Sequence, residues 1–235
     1  MRVLHTPDEV AAANPDPLVR WAAQALLPGR GGAAWAHGGA VAVHAPGLNR
    51  HDRLVLAGPA DDVAALLDAH HRPGRAALVT AETAAALPRF PAKATFGWME
   101  RAGTLTPPGG VRWLHEDEWD DVEALLRKAS PHSYVWPRER GPRRWAGIHD
   151  GATLVAVAAD AWSAPGIGFL GGVATHPDHR GLGLSTRICA FVAGTLLAEH
   201  GECALMVDAA NAPAIRVYHR LGFTYRAVTA LKDPA

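Results

Sequence analysis

Cysteine is nearly absent from this 235-residue chain, which has only Cys189 and Cys203. Two thiols exclude a disulfide-dense scaffold and a four-cysteine metal centre. Both lie in apolar runs, where buried, reduced thiols are expected. An excess of either charge is also missing: Lys+Arg and Asp+Glu are each 23. The balance holds in each half, with 10 basic and 9 acidic residues over 1–110 and 13 and 14 over 111–235. Neither half has the basic surplus of a general nucleic-acid or anionic-membrane binder, so neither partner is expected. An anionic ligand would have to be held by local geometry. No run approaches the roughly 20 apolar residues of a membrane-spanning helix. The opening MRVLHTPDEVAAANPDP lacks the apolar stretch of a secretion signal, and a reducing cytoplasm is the expected location. No repeat of fixed period is visible. The Ala/Arg/Gly-rich, lysine-poor usage fits a high-GC bacterial genome.

What is present is ample core material. Hydrophobic residues make up 49% and charged residues 20%, which excludes disorder and allows one large or two small domains. The Pro/Gly stretch TLTPPGG, Thr104–Gly110, is the best boundary, giving an N-terminal α/β domain over 1–104 and a second over 111–235. In the first, Glu9–Leu27 reads as one helix, followed by strands at Ala40–His44, Leu54–Ala57, Ala76–Thr80 and Thr95–Arg101. Asp61–His70 and Ala81–Leu87 read as helices. In the second, Val111–Leu114 is a strand and Glu116–Ala129 an amphipathic helix with Trp119, Val122, Leu126 and Ala129 on one face. A loop over Ser130–Pro142 follows. Strands at Arg144–His149 and Ala152–Ala161 flank a hairpin turn, then come strand Gly168–Thr175, helix Gly181–His200 and strand Ala204–Asp208. Helix Ala212–Leu221, ended by Gly222, and strand Phe223–Leu231 complete an α/β arrangement of mixed strand directions.

The chemistry concentrates in Gly171–Ser185, GGVATHPDHRGLGLS. A strand runs through Pro177 into Arg180-Gly-Leu-Gly-Leu-Ser and opens the longest helix. Glycines at such a turn let backbone N–H groups approach an anion at the positive helix end, and Arg180 adds a full charge. A dinucleotide fingerprint would need a third glycine where Thr186 stands, and a parallel βαβ setting. A P-loop would need Gly-Lys-Ser/Thr. Neither is present.

The stretch Arg180-x-x-Gly183-x-Ser185 resembles the pyrophosphate signature of the GNAT N-acetyltransferase superfamily, and Val173-Ala-Thr-His-Pro177 resembles its lead-in. Asn211-Ala-Pro-Ala214-Ile-Arg-Val-Tyr218-His-Arg-Leu-Gly222-Phe223 is similar to the family's second block. One departure is Ser185, where Gly or Ala is usual. The resemblance covers about 111–235 and implies an α/β fold with a GNAT-type mixed sheet flanked by helices. The N-terminal half would be a degenerate GNAT-like domain in a layout similar to the glycine N-acyltransferase-like group. It implies acetyl-CoA or another acyl-CoA as cosubstrate, without a metal. Val173, Ala174 and Thr175 would lie along the pantetheine arm, with a Val173 or Ala174 N–H at the thioester oxygen. Arg180, Gly181, Leu182, Gly183, Leu184 and Ser185 would hold the pyrophosphate, and Asn211 the pantetheine region. Tyr218 would be the general acid that protonates the departing thiolate.

The strand that carries a glutamate base in many relatives reads GIGFLGGVA here, with no acid or histidine. Asp208 is the leading substitute, with Asp160, His132 or a water chain as alternatives. Tyr134 and Trp136 stand in the loop that shapes the acceptor pocket in relatives. The acceptor would be an amine of a small molecule, amino acid or protein N-terminus, attacked directly in a ternary complex by a monomer or homodimer. A non-catalytic acyl-CoA sensor is the alternative. His176-x-x-His179 has no evident third metal ligand.

Overall fold

Proline and asparagine decide how the N-terminal segment folds in the computed structural model, which describes residues 1–232. The single helix expected over Glu9–Leu27 does not form. Helix α1 (Pro7–Ala13) is capped by Thr6, and α2 (Pro17–Ala22) by Asp16, whose carboxylate accepts from the Leu18 amide at 2.8 Å. Asn14 between them is extended, at φ −153°, as a residue before proline prefers. A 3-10 turn, Ala23–Leu26, finishes the segment.

The chain forms two compact units, and neither is contiguous. The first takes Met1–Trp98, Val207–Ala210 and the chain from Tyr225 onward; the second takes Met99–Met206 and Asn211–Thr224. Thr104–Gly110 thus falls inside the second unit.

The first unit contains β1 (Arg2–Leu4), β2 (Ala33–His37), β3 (Ala40–Leu48), β4 (His51–Ala57), α3 (Ala60–His70), β5 (Ala76–Thr80), α4 (Ala81–Ala85) and the start of β6 (Ala92–Ala102). Strands β1 to β4 pair antiparallel in sequence, β5 joins β4 in parallel, and the chain's last strand, β12 (Thr224–Leu231), pairs antiparallel with β5. Leu231 is buried among Leu54, Leu66 and Val79. Burying a side chain of that kind contributes about 1.5–3 kcal/mol, so β12 is anchored in the core of this unit.

The second unit contains β7 (Arg112–Trp113), α5 (Trp119–Ala129), β8 (Pro142–Asp150), β9 (Thr153–Ala161), β10 (Gly168–Thr175), α6 (Leu184–His200), most of β11 (Glu202–Asp208) and α7 (Ala212–Arg220). Strands β7 to β10 are again antiparallel neighbours and β11 is again parallel to its predecessor. Helix α5 buries Trp119, Val122, Leu125 and Leu126, with acids in its first turn and Arg127–Lys128 in its last, as the helix dipole favours. Helix α6 packs directly on β10: a side chain at Gly168 would put its Cβ 2.5 Å from that of Leu196.

No period is visible in the sequence, yet the two units repeat one order of elements: strand, helix, three strands, helix, parallel strand, helix, strand. Strand order is β1-β2-β3-β4-β5-β12 in the first unit and β11-β10-β9-β8-β7 in the second. The chain's last strand, β12, therefore belongs with the first unit, beside β5. The architecture is an α/β fold with a mixed sheet flanked by helices, as expected. The hairpin turn contains Gly151, as expected, at φ +58°, with β8 ending and β9 starting one residue later than the sequence suggests. Both cysteines are buried and free.

Candidate active site

Strand β10 pairs with β11 at two positions only, Gly168↔Cys203 and Phe169↔Ala204. Both strands run on, to Thr175 and Asp208, without further pairing to each other. A local irregularity accompanies the parting. Between Gly171↔Ala159 and Ala174↔Val157 the register of β10 against β9 slips by one residue, a β-bulge. Gly172 sits in the bulge at φ +61°, and a Cβ there would lie 2.5 Å from the Trp145 ring. Glycine is therefore required twice over, for conformation and for space. Gly172 and Val173 have no partner in the register of either neighbouring strand. Ala174 is buried, and the Thr175 hydroxyl is buried without a hydrogen-bond partner.

Beyond Thr175 the chain makes a short turn, Pro177–His179, and passes through Arg180, Gly181 and Gly183 into α6. Both glycines have positive φ, +80° and +73°, and a Cβ on either would meet nothing within 4 Å. Gly183 is the N-cap of the 17-residue helix and offers its amides no side-chain acceptor. The first helical bond is Arg187 N to the Gly183 carbonyl, at 3.1 Å. The amides of Leu184, Ser185 and Thr186 thus point out of an open, positive helix end. Arg180 is exposed beside them and donates to the Ala129 carbonyl at 3.4 Å. Leu182, between the glycines, is 66% exposed.

The corresponding helix of the first unit has no such opening. Pro59 caps α3, Asp61 and Asp62 fill its first turn, and Asp62 accepts from the Gly39 amide at 2.9 Å. Two carboxylates occupy the helix end where an anion would have to sit.

Tyr218 on α7 is 7% exposed and packs edge-on against Phe223, ring centroids 6.1 Å apart. Burial pushes its phenol well above the usual tyrosine range, and a charge on nearby Cys189 of α6 would push it further. Asn211 caps α7, its Oδ1 accepting from the Ala214 amide at 3.2 Å. Asp208 is exposed at the end of β11, and its carboxylate accepts from the Ala210 amide at 2.9 Å. Asp160 is fully buried and held by Arg144 and Ser163, which removes it from the set of accessible bases. His132 is exposed in the loop before β8. In the same loop Tyr134 is 58% exposed, and the Trp136 indole donates to the Ser133 carbonyl at 2.7 Å beneath Arg127.

His176 and His179 approach through their Nδ1 atoms at 3.4 Å. The outer nitrogen of His176 faces Lys128 Nζ at 2.9 Å, and that of His179 faces Asp150 at 3.3 Å. Among the described residues no group of three or more His, Cys, Asp or Glu is arranged to hold a metal. Among the described residues no helix is long and apolar enough to cross a membrane.

Residues 146–231 match the family model described as FR47-like protein. Among solved structures, a GCN5-related N-acetyltransferase from Kribbella flavida is 22% identical over 86% of this chain and 89% of its own, with a TM-score of 0.56. The chain has the GNAT fold. A GNAT-family acetyltransferase from Novosphingobium aromaticivorans is 19% identical over 85% and 91%, at a TM-score of 0.51. A GCN5-related N-acetyltransferase from Sphaerobacter thermophilus is 16% identical over 83% and 80%, at 0.55. No curated protein matches the sequence. At that coverage the likeness to these GNAT-fold proteins extends over parts of both units.

Within the GNAT fold, the contiguous candidates Val173–Ser185 form one strand end, turn and helix start. Tyr218 and Asn211 lie together on α7. Asp208 falls in the first unit. The sequence reading did not find the Gly172 bulge or the buried contacts of Asp160. A glycine pair at 171–172 in an otherwise apolar strand was the available signal for the bulge.

Proposed function

We propose that the second unit is an acyl-CoA-dependent N-acyltransferase that transfers acetyl, or a related acyl group, to an amine. The observation that carries this reading is the parting of β10 and β11 in line with an uncapped, glycine-opened helix. An extended arm can lie against unpaired strand backbone while a pyrophosphate meets the free amides of α6. The Leu184 and Ser185 amides, freed by Gly181 and Gly183, would hold the pyrophosphate with Arg180. The orphaned Thr175 hydroxyl and the unpaired Val173 backbone would face the arm, and Asn211 would contact its pantetheine part.

The acyl thioester supplies an activated carbonyl. An amine attacks that carbon, the C–S bond breaks, and the sulfur needs a proton. Tyr218 is suited to supply it, because its raised pKa keeps the phenol protonated throughout the physiological range. A Val173 or Ala174 N–H would stabilise the charge developing on the carbonyl oxygen. The amine proton leaves to water. Tyr134 and Trp136 would border an acceptor that is a small molecule or a peptide N-terminus, in a monomer or homodimer.

A second reading has an observation of its own. No acid or histidine stands on β10, and Asp208 already caps a turn, which favours a non-catalytic acyl-CoA sensor. Calorimetry with acetyl-CoA, and NAD as control, is the first test. Binding of acetyl-CoA alone supports both readings, and binding of neither removes both. Tyr218→Phe then separates them. An enzyme loses about 10²–10⁴-fold in turnover while retaining acetyl-CoA affinity. Absence of turnover by the wild-type protein on a broad amine panel favours the sensor.

A further inference from the structure

Asp160 is 0% exposed on β9 and in register with Leu170, the first residue of β10 beyond its last pair with β11. A carboxylate stripped of water is tolerated only when it is fully partnered. Here one oxygen accepts from Arg144 Nε at 3.2 Å and the other from the Ser163 hydroxyl. Arg143 adds a longer contact, at 3.8 Å. Ser163 Oγ in turn accepts the amide of Phe169 at 2.8 Å. Phe169 is the last residue of β10 that has a β11 partner. Arg144 is itself fixed from two sides, by Glu199 near the end of α6 and by the Trp113 ring of β7, 4.1 Å away.

The relay therefore starts on β8 and ends on the residue where β10 leaves β11. Each member has one role that its neighbours impose. Arg144 can only donate, ionised Asp160 can only accept, and Ser163 is the one group that can do both. The segment between Asp160 and β10 is tightly specified as well. Trp162 has φ +53°, and Ala164 and Ile167 bridge one another across the turn.

We propose that Ser163, acting through Asp160 and Arg144, is a positioning residue that fixes where β10 parts from β11 and so sets the opening for the pantetheine arm. This rests on the acyl-CoA reading above. It assigns the relay to the arm and not to the phosphate turn, which is built separately by Gly181–Ser185.

The test compares two ligands on the full chain by calorimetry. Acetyl-CoA needs both the opening and the phosphate turn, whereas adenosine 3′,5′-bisphosphate needs only the turn. Ser163→Ala is expected to weaken acetyl-CoA about tenfold or more while leaving the bisphosphate within about twofold. Ser163→Thr, which keeps the hydroxyl, is expected to restore most of the acetyl-CoA affinity. If Ser163→Ala is not recovered folded, Asp160→Asn carries the same comparison. Equal weakening of both ligands means a general loss of structure and overturns the proposal, as does no change in either. Wild-type protein that binds neither ligand overturns the acyl-CoA reading itself, and the proposal falls with it.

Discussion

The two ends of α6 allow the phosphate turn to be tested with an internal control. Gly183 caps its start at φ +73° and Gly201 its end at φ +82°, and a Cβ on either would meet nothing within 4 Å. Alanine at either position therefore adds no clash. It adds only the strain of a positive φ, about 1 kcal/mol, and so lowers the melting temperature by about 2–4 °C in a chain of this size. The two variants should be equally destabilised. They should differ in binding, because only the methyl on Gly183 projects into the space through which a phosphate reaches the Leu184 and Ser185 amides. Losing one hydrogen bond to a charged group costs about 1.5–3 kcal/mol, or about ten- to a hundredfold in dissociation constant. Thermal melts and acetyl-CoA calorimetry on Gly183→Ala and Gly201→Ala read both quantities. Equal affinities for the two variants would refute the reasoning, however clean the melts.

Three further outcomes are expected. Burial pushes the Cys189 thiol up to about 12 and Cys203 higher still. Native protein at pH 8 should then resist iodoacetamide, with both thiols alkylated after denaturation, and rapid native labelling would contradict the burial. Glu118 is pulled down to about 2 by its hydrogen bonds from Arg112 and the His115 amide. A depressed carboxylate contributes stability above its unfolded value, about 4.5, that is lost as pH falls towards 2. Glu118→Gln should therefore flatten the acid limb of a melting-temperature profile, and an unchanged limb would argue against that pairing. Tyr218 has the opposite sign: its folded pKa is raised, so its contribution is full below the unfolded value of about 10 and lost above it. Tyr218→Phe should lessen the alkaline loss of stability.

Much of the second unit was legible in its sequence because its signals are local. Helix α5 shows its apolar face in the spacing of Trp119, Val122 and Leu126, α7 is capped by its own Asn211, and Gly181 and Gly183 announce a turn into a helix. The illegible parts depend on distant partners. Nothing near Ser163 indicates that its hydroxyl joins Phe169 to a carboxylate on β9, and nothing near Lys128 indicates a histidine 48 positions on. The helix expected over Glu9–Leu27 failed for a different reason. Its apolar spacing was right in part, with Val10, Leu18 and Trp21 all buried, but Asn14-Pro15-Asp16-Pro17 outweighs periodicity locally. The return of β12 to β5 is invisible to any local pattern, since an apolar strand reads the same beside either neighbour.

The return of β12 to β5 makes the first unit indivisible at the chain's apparent seam. Cutting at residue 104 would leave that unit without its last strand, and the fragment from 105 onward would carry β12 with no β5 to pair with. The fragment 1–104 is therefore not expected to refold alone, whereas a peptide carrying β12 supplies the missing edge.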